Sequence, residues 1–149
     1  MKVLITGGAG YLGTVLTEEI LNRFPYAKVI VYDNLMYKQD GLFSFFKYPK
    51  DRFEFVYGDV RDKNSLLEQL QKLDKDNDYV IPLAAIVGFP ACARDEKLAT
   101  AVNFEHVKYI VQSTKCRIIY PNTNSGYGVS DGEAYCTEET PLAPISVYG

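Results

Sequence analysis

Apolar residues along this chain fall into two kinds of series that take turns. Compact runs rich in β-branched and aromatic residues occur at 2–6, 28–33, 53–57, 79–83 and 117–120. Within them the apolar positions are nearly continuous, which predicts strands buried on both faces. Between the runs the spacing becomes helical. Residues 11–23 carry Leu12, Val15, Leu16, Ile20 and Leu21 on one expected face. Residues 62–73 carry Leu66, Leu67, Leu70 and Leu73, and residues 95–113 carry Leu98, Val102, Val107, Ile110 and Val111. Strand alternating with helix at this rhythm predicts parallel βαβ units in an open sheet with helices on both faces. The stretch 34–52 is the least regular, and Leu42, Phe43, Phe45 and Phe46 within it predict a short amphipathic helix.

Composition narrows the picture. At 149 residues the chain is one domain long, 47% hydrophobic, 23% charged and 13% aromatic, which excludes a disordered protein. Sixteen basic and nineteen acidic residues give a net charge of −3 with no Lys/Arg block. General binding of nucleic acid or of an anionic membrane is therefore excluded from the reading. No 18-residue apolar stretch is present, and the apolar run after Met1 ends at once in glycines, so neither a membrane span nor a secretory signal is expected. Cys92, Cys116 and Cys136 are odd in number and lack CxxC spacing. This argues for a cytoplasmic protein with neither a disulfide framework nor a metal site.

The first candidate chemistry is Thr6-Gly7-Gly8-Ala9-Gly10-Tyr11-Leu12-Gly13, set between the first predicted strand and the first helix. A pyrophosphate needs close backbone amides and the positive end of a helix. Gly7 would allow the tight turn, Gly10 the approach of a cofactor, and Gly13 the packing of helix on strand. Asp33 ends the second strand, 20 residues after Gly13, where a carboxylate accepts hydrogen bonds from adenosine ribose hydroxyls. Its charge would repel a 2′-phosphate, and no Arg or Lys stands at 34–36. NAD is favoured over NADP.

The spacing Gly-x-x-Gly-x-x-Gly, with further motifs running from Met1 to Gly149, resembles the extended short-chain dehydrogenase/reductases. Specifically, it is similar to the NAD-dependent epimerase/dehydratase family acting on nucleotide sugars. The resemblance implies a Rossmann-type doubly wound sheet, truncated before the substrate-binding part, so that 1–149 is an NAD-binding domain. It implies cofactor contacts at Gly7, Gly10, Tyr11, Leu12, Gly13, Asp33 and Asn34. Gly58-Asp59-Val60-Arg61-Asp62 resembles the family's adenine-contacting turn, with Asp59 beneath the adenine amine and Val60 beside it. Leu83-Ala84-Ala85 resembles the loop passing the middle of the cofactor; family members often have His before it, where this chain has Pro82. Asn103 matches an Asn that supports the active site.

Thr123-Asn124-Ser125-Gly126-Tyr127-Gly128 resembles the family's Ser/Thr-x-x-x-Tyr-Gly segment, which implies Thr123 as the catalytic hydroxyl and Tyr127 as a neighbouring ring. Twenty-five residues on from Thr123, Tyr148 resembles the tyrosine of Tyr-x-x-x-Lys. A free phenol is a poor base at neutral pH until nearby cations favour phenolate. By resemblance, Tyr148 would take a proton from a sugar hydroxyl, typically at C4, while hydride passes to NAD, and Thr123 would orient that oxygen. The Lys of the motif would fall at 152, past Gly149, so this polypeptide is expected to bind NAD(H) but to turn over poorly.

Family 4,6-dehydratases place Asp-Glu directly after the catalytic Thr. Asn124 and Ser125 stand there in this chain, which disfavours elimination. The run also resembles a branch that oxidises GDP-manno-heptose at C4. Epimerisation and net oxidation share these residues, and an NAD- or nucleotide-binding module without turnover is the alternative from another class. The implied partners are a nucleotide-diphosphate sugar and, in the family, a second subunit of a homodimer. Four features are set aside. His106 reads as a partly exposed helix residue, Cys92 as a small packed thiol, 74–78 as a turn rather than a metal loop, and 132–139 as a solvated segment.

Overall fold

The computed structural model describes residues 1–129, 135–146, 148 and 149. The expected solvated segment falls partly outside the described residues; its described part, 135–139, is exposed. Five parallel strands, β1 (Lys2–Thr6), β2 (Lys28–Asp33), β3 (Phe53–Tyr57), β4 (Tyr79–Pro82) and β5 (Arg117–Ile118), lie in the order β3-β2-β1-β4-β5. The open parallel sheet expected from the alternation is thus observed, in the Rossmann-type doubly wound order that the resemblance implies. Alternate residues of β1 feed opposite cores: Leu4 joins Ile30, Leu66, Val80 and Ile110 on one face, while Val3 and Ile5 join Ile20, Val29, Val31 and Phe53 on the other.

Helix α1 spans Tyr11–Arg23, as its spacing predicts, but the buried face differs from the expected one. Gly13, Thr17, Ile20 and Leu21 face inward, whereas Leu12 and Val15 are exposed. The smallest residues are inside because the helix lies close to the loop before it. A Cβ at Gly13 would stand 2.5 Å from Gly8 Cα, so Gly13 packs helix on loop rather than helix on strand. Helix α2 (Lys63–Leu70) starts at Asp62, whose carboxylate caps the amides of Asn64 and Ser65. The apolar cluster at 42–46 forms a 3₁₀ turn, Gly41–Phe45, with Leu42 and Phe45 buried.

Three departures lie around β4. Helix α3 (Phe89–Arg94) is not foreshadowed by the spacing; it begins after Gly88, whose φ of 90° is a conformation that L side chains rarely adopt. The single helix expected over 95–113 is α4 (Glu96–Thr100), a π-helical turn (Ala101–Glu105) and α5 (His106–Ser113). β5 is two residues long instead of four. Ile119 N–H reaches the Val80 carbonyl at 3.0 Å, and in a parallel ladder the next bond would run from residue 82 to the Ile119 carbonyl. Residue 82 is proline and has no N–H to give. The ladder stops there.

Candidate functional site

A cavity of about 370 Å³ opens at the carboxyl end of the sheet, between β1 and β4 where the strand order reverses. This is where open α/β sheets bind their ligands. Gly7, Gly10, Tyr11, Leu12 and Gly13 form one wall, Asp33 and Asn34 a second, Asp59 and Val60 a third, and Leu83, Ala84 and Ala85 a fourth. The structure therefore brings together all twelve residues expected around a cofactor. Tyr32, Met36, Tyr37, Gln39, Ile86 and Val87 also line the cavity, beyond the expected set. Ile86 and Val87 could have been found as the continuation of the Leu83-Ala84-Ala85 run, and Tyr32 as the neighbour of Asp33.

The glycine loop is shaped by contact with β4. Gly7 has φ of 69°, and a Cβ there would stand 2.4 Å from Ala84 N. Gly10 N–H closes the turn onto the Gly7 carbonyl at 3.1 Å. Among the described residues other than its chain neighbours, an added Cβ at Gly10 would come within 4 Å of that same carbonyl oxygen alone, and Gly10 borders the cavity with bare backbone. Helix α1 begins at Gly10 without a side-chain cap, and its first-turn residues Tyr11, Leu12 and Gly13 border the cavity. Uncapped amides of a first helical turn form a ready anion site.

Asp33 joins two loops. Its Oδ2 accepts from Ala9 N–H at 3.0 Å and its Oδ1 from Leu35 N–H at 2.7 Å. Each oxygen keeps a further acceptor position for hydroxyl groups entering the cavity. The second bond helps to hold Leu35 in a left-handed conformation with φ of 54°, and Lys38 shares that φ at the other end of the turn. For a residue with a Cβ this costs about 1 kcal/mol each.

Under the third wall, Tyr32 is fully buried and donates to the Asp59 carbonyl or Ser65 Oγ, both at 3.0 Å. Burial raises its phenol above the ordinary value. Gly58 crosses the ring so closely that a Cβ would lie 2.4 Å from it. Arg61 holds the Asp59 carboxyl at about 2, by side-chain hydrogen bonds and then by its backbone N–H, with Asn34 adding to them.

The π-helical turn sets the fourth wall. Asn103 grips Ile86 twice: its Oδ1 accepts from Ile86 N–H at 2.8 Å and its Nδ2 donates to the Ile86 carbonyl at 2.9 Å. Asn103 Nδ2 also lies 3.8 Å from Cys92 Sγ, and that buried thiol donates to the Ile86 carbonyl. His106 is buried, at 2% exposure, against the expectation of a partly exposed residue. Its Nδ1 faces the Val102 carbonyl at 3.1 Å, so Nδ1 carries the hydrogen, and Nε2 accepts from Thr6 Oγ1 at 3.1 Å. The spacing Val102, His106, Ile110 is the signal for this burial: four-residue steps keep one helix face. Burial depresses the imidazole to about 4, keeping it neutral.

The residues expected to handle a proton lie apart from this cavity lining. Thr123 caps the 3₁₀ turn Asn124–Tyr127, its Oγ1 accepting from Ser125 N–H at 3.3 Å. The later segment folds back on that turn through Ala143 N–H to the Gly126 carbonyl at 2.9 Å. A Cβ at Gly149 would lie 2.6 Å from the Ser125 carbonyl oxygen, so the chain next to Tyr148 rests on the turn that Thr123 caps. Tyr148 itself is half-buried against the core on the α2 and α5 side. Thr123, Tyr127 and Tyr148 are not among the residues lining the cavity.

A five-stranded sheet in this order, with a glycine loop and an uncapped helix at its reversal point, defines a Rossmann-type nucleotide-binding domain. Residues 3–149 match the NAD dependent epimerase/dehydratase family, and the chain belongs to that family. It is 32% identical over 145 residues to the CDP-paratose 2-epimerase of Salmonella typhi, covering 94% of this chain and 41% of that protein. The dTDP-glucose 4,6-dehydratase DesIV from Streptomyces venezuelae, solved with NAD bound, matches with a TM-score of 0.85 at 28% identity. That match covers 99% of this chain and 47% of DesIV. The UDP-glucose 4-epimerase of Thermus thermophilus, in complex with NAD, matches with a TM-score of 0.78 at 28% identity, over 99% of this chain and 46% of that one. The chain thus spans less than half the length of these relatives. Among the described residues, no helix is long and apolar enough to cross a membrane.

Proposed function

We propose that this chain is the NAD-binding part of an enzyme that epimerises or oxidises a nucleotide-diphosphate sugar, typically at C4. The observation that carries the reading is the cavity at the sheet reversal. There the first-turn amides of α1, the Asp33 carboxylate and the Asp59–Val60 turn meet the needs of a pyrophosphate, a ribose and a base. Bare backbone at Gly10 and free acceptor positions on Asp33 fit a dinucleotide. The relatives bound to NAD support the choice of cofactor. When bound, the nicotinamide ring takes up and returns a hydride.

The chain's own residues do the rest. Glycine-loop amides hold phosphate oxygens, and Asp33 accepts the ribose hydroxyls while opposing a 2′-phosphate. Tyr148 removes the proton from the sugar hydroxyl that becomes a carbonyl. Thr123 accepts from Ser125 N–H, so its own hydrogen is free to donate to that sugar oxygen and fix its direction. Asn124 and Ser125 offer no titratable group beside Thr123, which supports epimerisation or net oxidation over loss of water. The narrower assignment to a GDP-heptose C4 dehydrogenase draws no support from the relatives named above, which are epimerases and a 4,6-dehydratase.

The test is calorimetric titration of the full-length protein with NAD and NADP. NAD binds and NADP binds much more weakly, and Asp33→Ala weakens NAD by about tenfold or more, the worth of hydrogen bonds to a charged group. No affinity for NAD, or affinity indifferent to Asp33, refutes the cofactor reading. In the same protein, Tyr148→Phe abolishes nucleotide-sugar-dependent NADH formation while leaving NAD affinity in place. Binding of NAD with no turnover of any nucleotide sugar by the unmutated protein favours the alternative, a binding module.

A further inference from the structure

Thr6 is the last residue of β1, directly before the glycine loop, and its side chain is fully buried. Its backbone is tied within the sheet on both sides. The Thr6 carbonyl accepts from Leu83 N–H at 2.8 Å, and the next N–H, of Gly7, donates to the Tyr32 carbonyl at 2.9 Å. Side chains stand perpendicular to a sheet, so the bond from the Thr6 hydroxyl to His106 Nε2 is a tie out of the plane, to the helical layer. His106 opens α5 directly after the π-helical turn, whose Asn103 holds Ile86 by both backbone groups. One short stretch, 103–106, therefore grips both rims of the cavity: the strand end that carries Gly7 and the loop after β4. The rims meet at Gly7, where a Cβ would stand 2.4 Å from Ala84 N, so a shift of one presses on the other. His106 is not among the residues lining the large cavity; it borders a smaller one with Val60, Arg61, Lys63, Glu105 and Tyr109. Leucine and valine at positions 106 and 6 would fill the same space without desolvating a polar pair. They would not fix a direction, as a buried hydrogen bond does.

We infer that His106 is a positioning residue for the dinucleotide: bonded to Thr6, it sets the end of β1, and so the amides of the glycine loop, where a pyrophosphate requires them. The inference rests on the dinucleotide reading above. It adds to that reading a residue outside the cavity on which the hold on phosphate depends. The adenosine end meets Asp33 and Asp59, whose carboxylates bond to Ala9, Leu35, Arg61 and Asn34 rather than to this pair. Its binding is therefore independent of His106.

The probes are NAD, titrated calorimetrically into the full-length protein, and adenosine, followed by chemical-shift titration. Both are used at neutral pH, where the imidazole is uncharged. His106→Leu and Thr6→Val each weaken NAD by about fivefold to tenfold, the upper range for a neutral hydrogen bond, and leave adenosine unchanged. The double variant loses no more than either single one, because one tie is broken in all three. His106→Gln, whose side-chain oxygen can accept from Thr6, and Thr6→Ser, which keeps the hydroxyl, hold NAD affinity within about twofold. A purely structural role would weaken NAD and adenosine alike. Should His106→Leu fail to fold, Thr6→Val against Thr6→Ser, with the imidazole in place, is read in the same way. Undiminished NAD affinity in the Leu and Val variants, additive losses in the double variant, an unchanged NAD-to-adenosine ratio, or no recovery with glutamine overturns the inference and leaves NAD binding standing. Failure of the unmutated protein to bind NAD overturns both.

Discussion

Protonating the buried imidazole of His106 requires opening its contact with Thr6 or charging a site without water. Its pKa falls to about 4 when folded, from an ordinary value near 6.5, with burial as the dominant cause. Between these values the unfolded chain binds the proton and the folded chain does not. Stability is therefore fully present above about pH 6.5 and is lost as pH falls toward 4, by at most about 3 kcal/mol. Thermal melts across that range should show a decline that His106→Gln flattens. Because the chain holds one histidine, its single imidazole resonance should report the same low pKa directly. Asp59 acts in a lower window: its contribution is present above about pH 4 and lost as pH falls toward 2. The four-residue spacing from Val102 to Ile110 carries the burial of His106, but its hydrogen-bond partner is not legible in the sequence. Its partner, the Thr6 hydroxyl, lies 100 positions away.

Among the elements, the π-helical turn at Ala101–Glu105 has the most consequence for the cavity. The extra residue in that turn lets Val102, Asn103 and His106 all face inward within five positions, toward the cavity, Ile86 and Thr6. Asn103→Ala would leave the Ile86 N–H and carbonyl without the Asn103 side chain, costing about 2 kcal/mol. Urea denaturation should register that loss, and hydrogen exchange at the Ile86 amide should accelerate beyond the global change. Hydrophobic spacing could not show the turn, because a one-residue insertion shifts the face without altering composition. The strands were legible for the opposite reason. A parallel sheet buried on both sides demands unbroken apolar runs, and β1, β2 and β3 begin and end where those runs do. Leu12 and Val15 mislead the reading of α1, whose inner face is built on Gly13 and Thr17 because the glycine loop comes too near for larger side chains.

At the scale of the molecule, the cavity wall was legible because its residues sit at strand ends, and strand ends in a doubly wound sheet converge on one edge. The Asp59–Arg61–Asn34 arrangement was not, since it depends on which of several polar side chains turn toward one carboxylate. The same limit applies to Thr123 and Tyr148: their spacing was readable, and the fold-back that rests Gly149 on Ser125 was not.

The proline at position 82 has a mechanical consequence. With the ladder between β4 and β5 ended at Val80, residues 120–128 have fewer backbone ties to the sheet than the cradle around Gly7 and Asp33. The cradle and the turn carrying Thr123 are thus expected to open as separate cooperative units, which amide exchange would show. Amide exchange should fall into two tiers, slow for β1, β2 and the glycine loop, faster for residues 120–128. Pro82→Val, by returning one N–H, should draw Ile119 and its neighbours toward the slow tier. A single absent hydrogen would then set how independently the dinucleotide grip and the proton-handling turn can breathe.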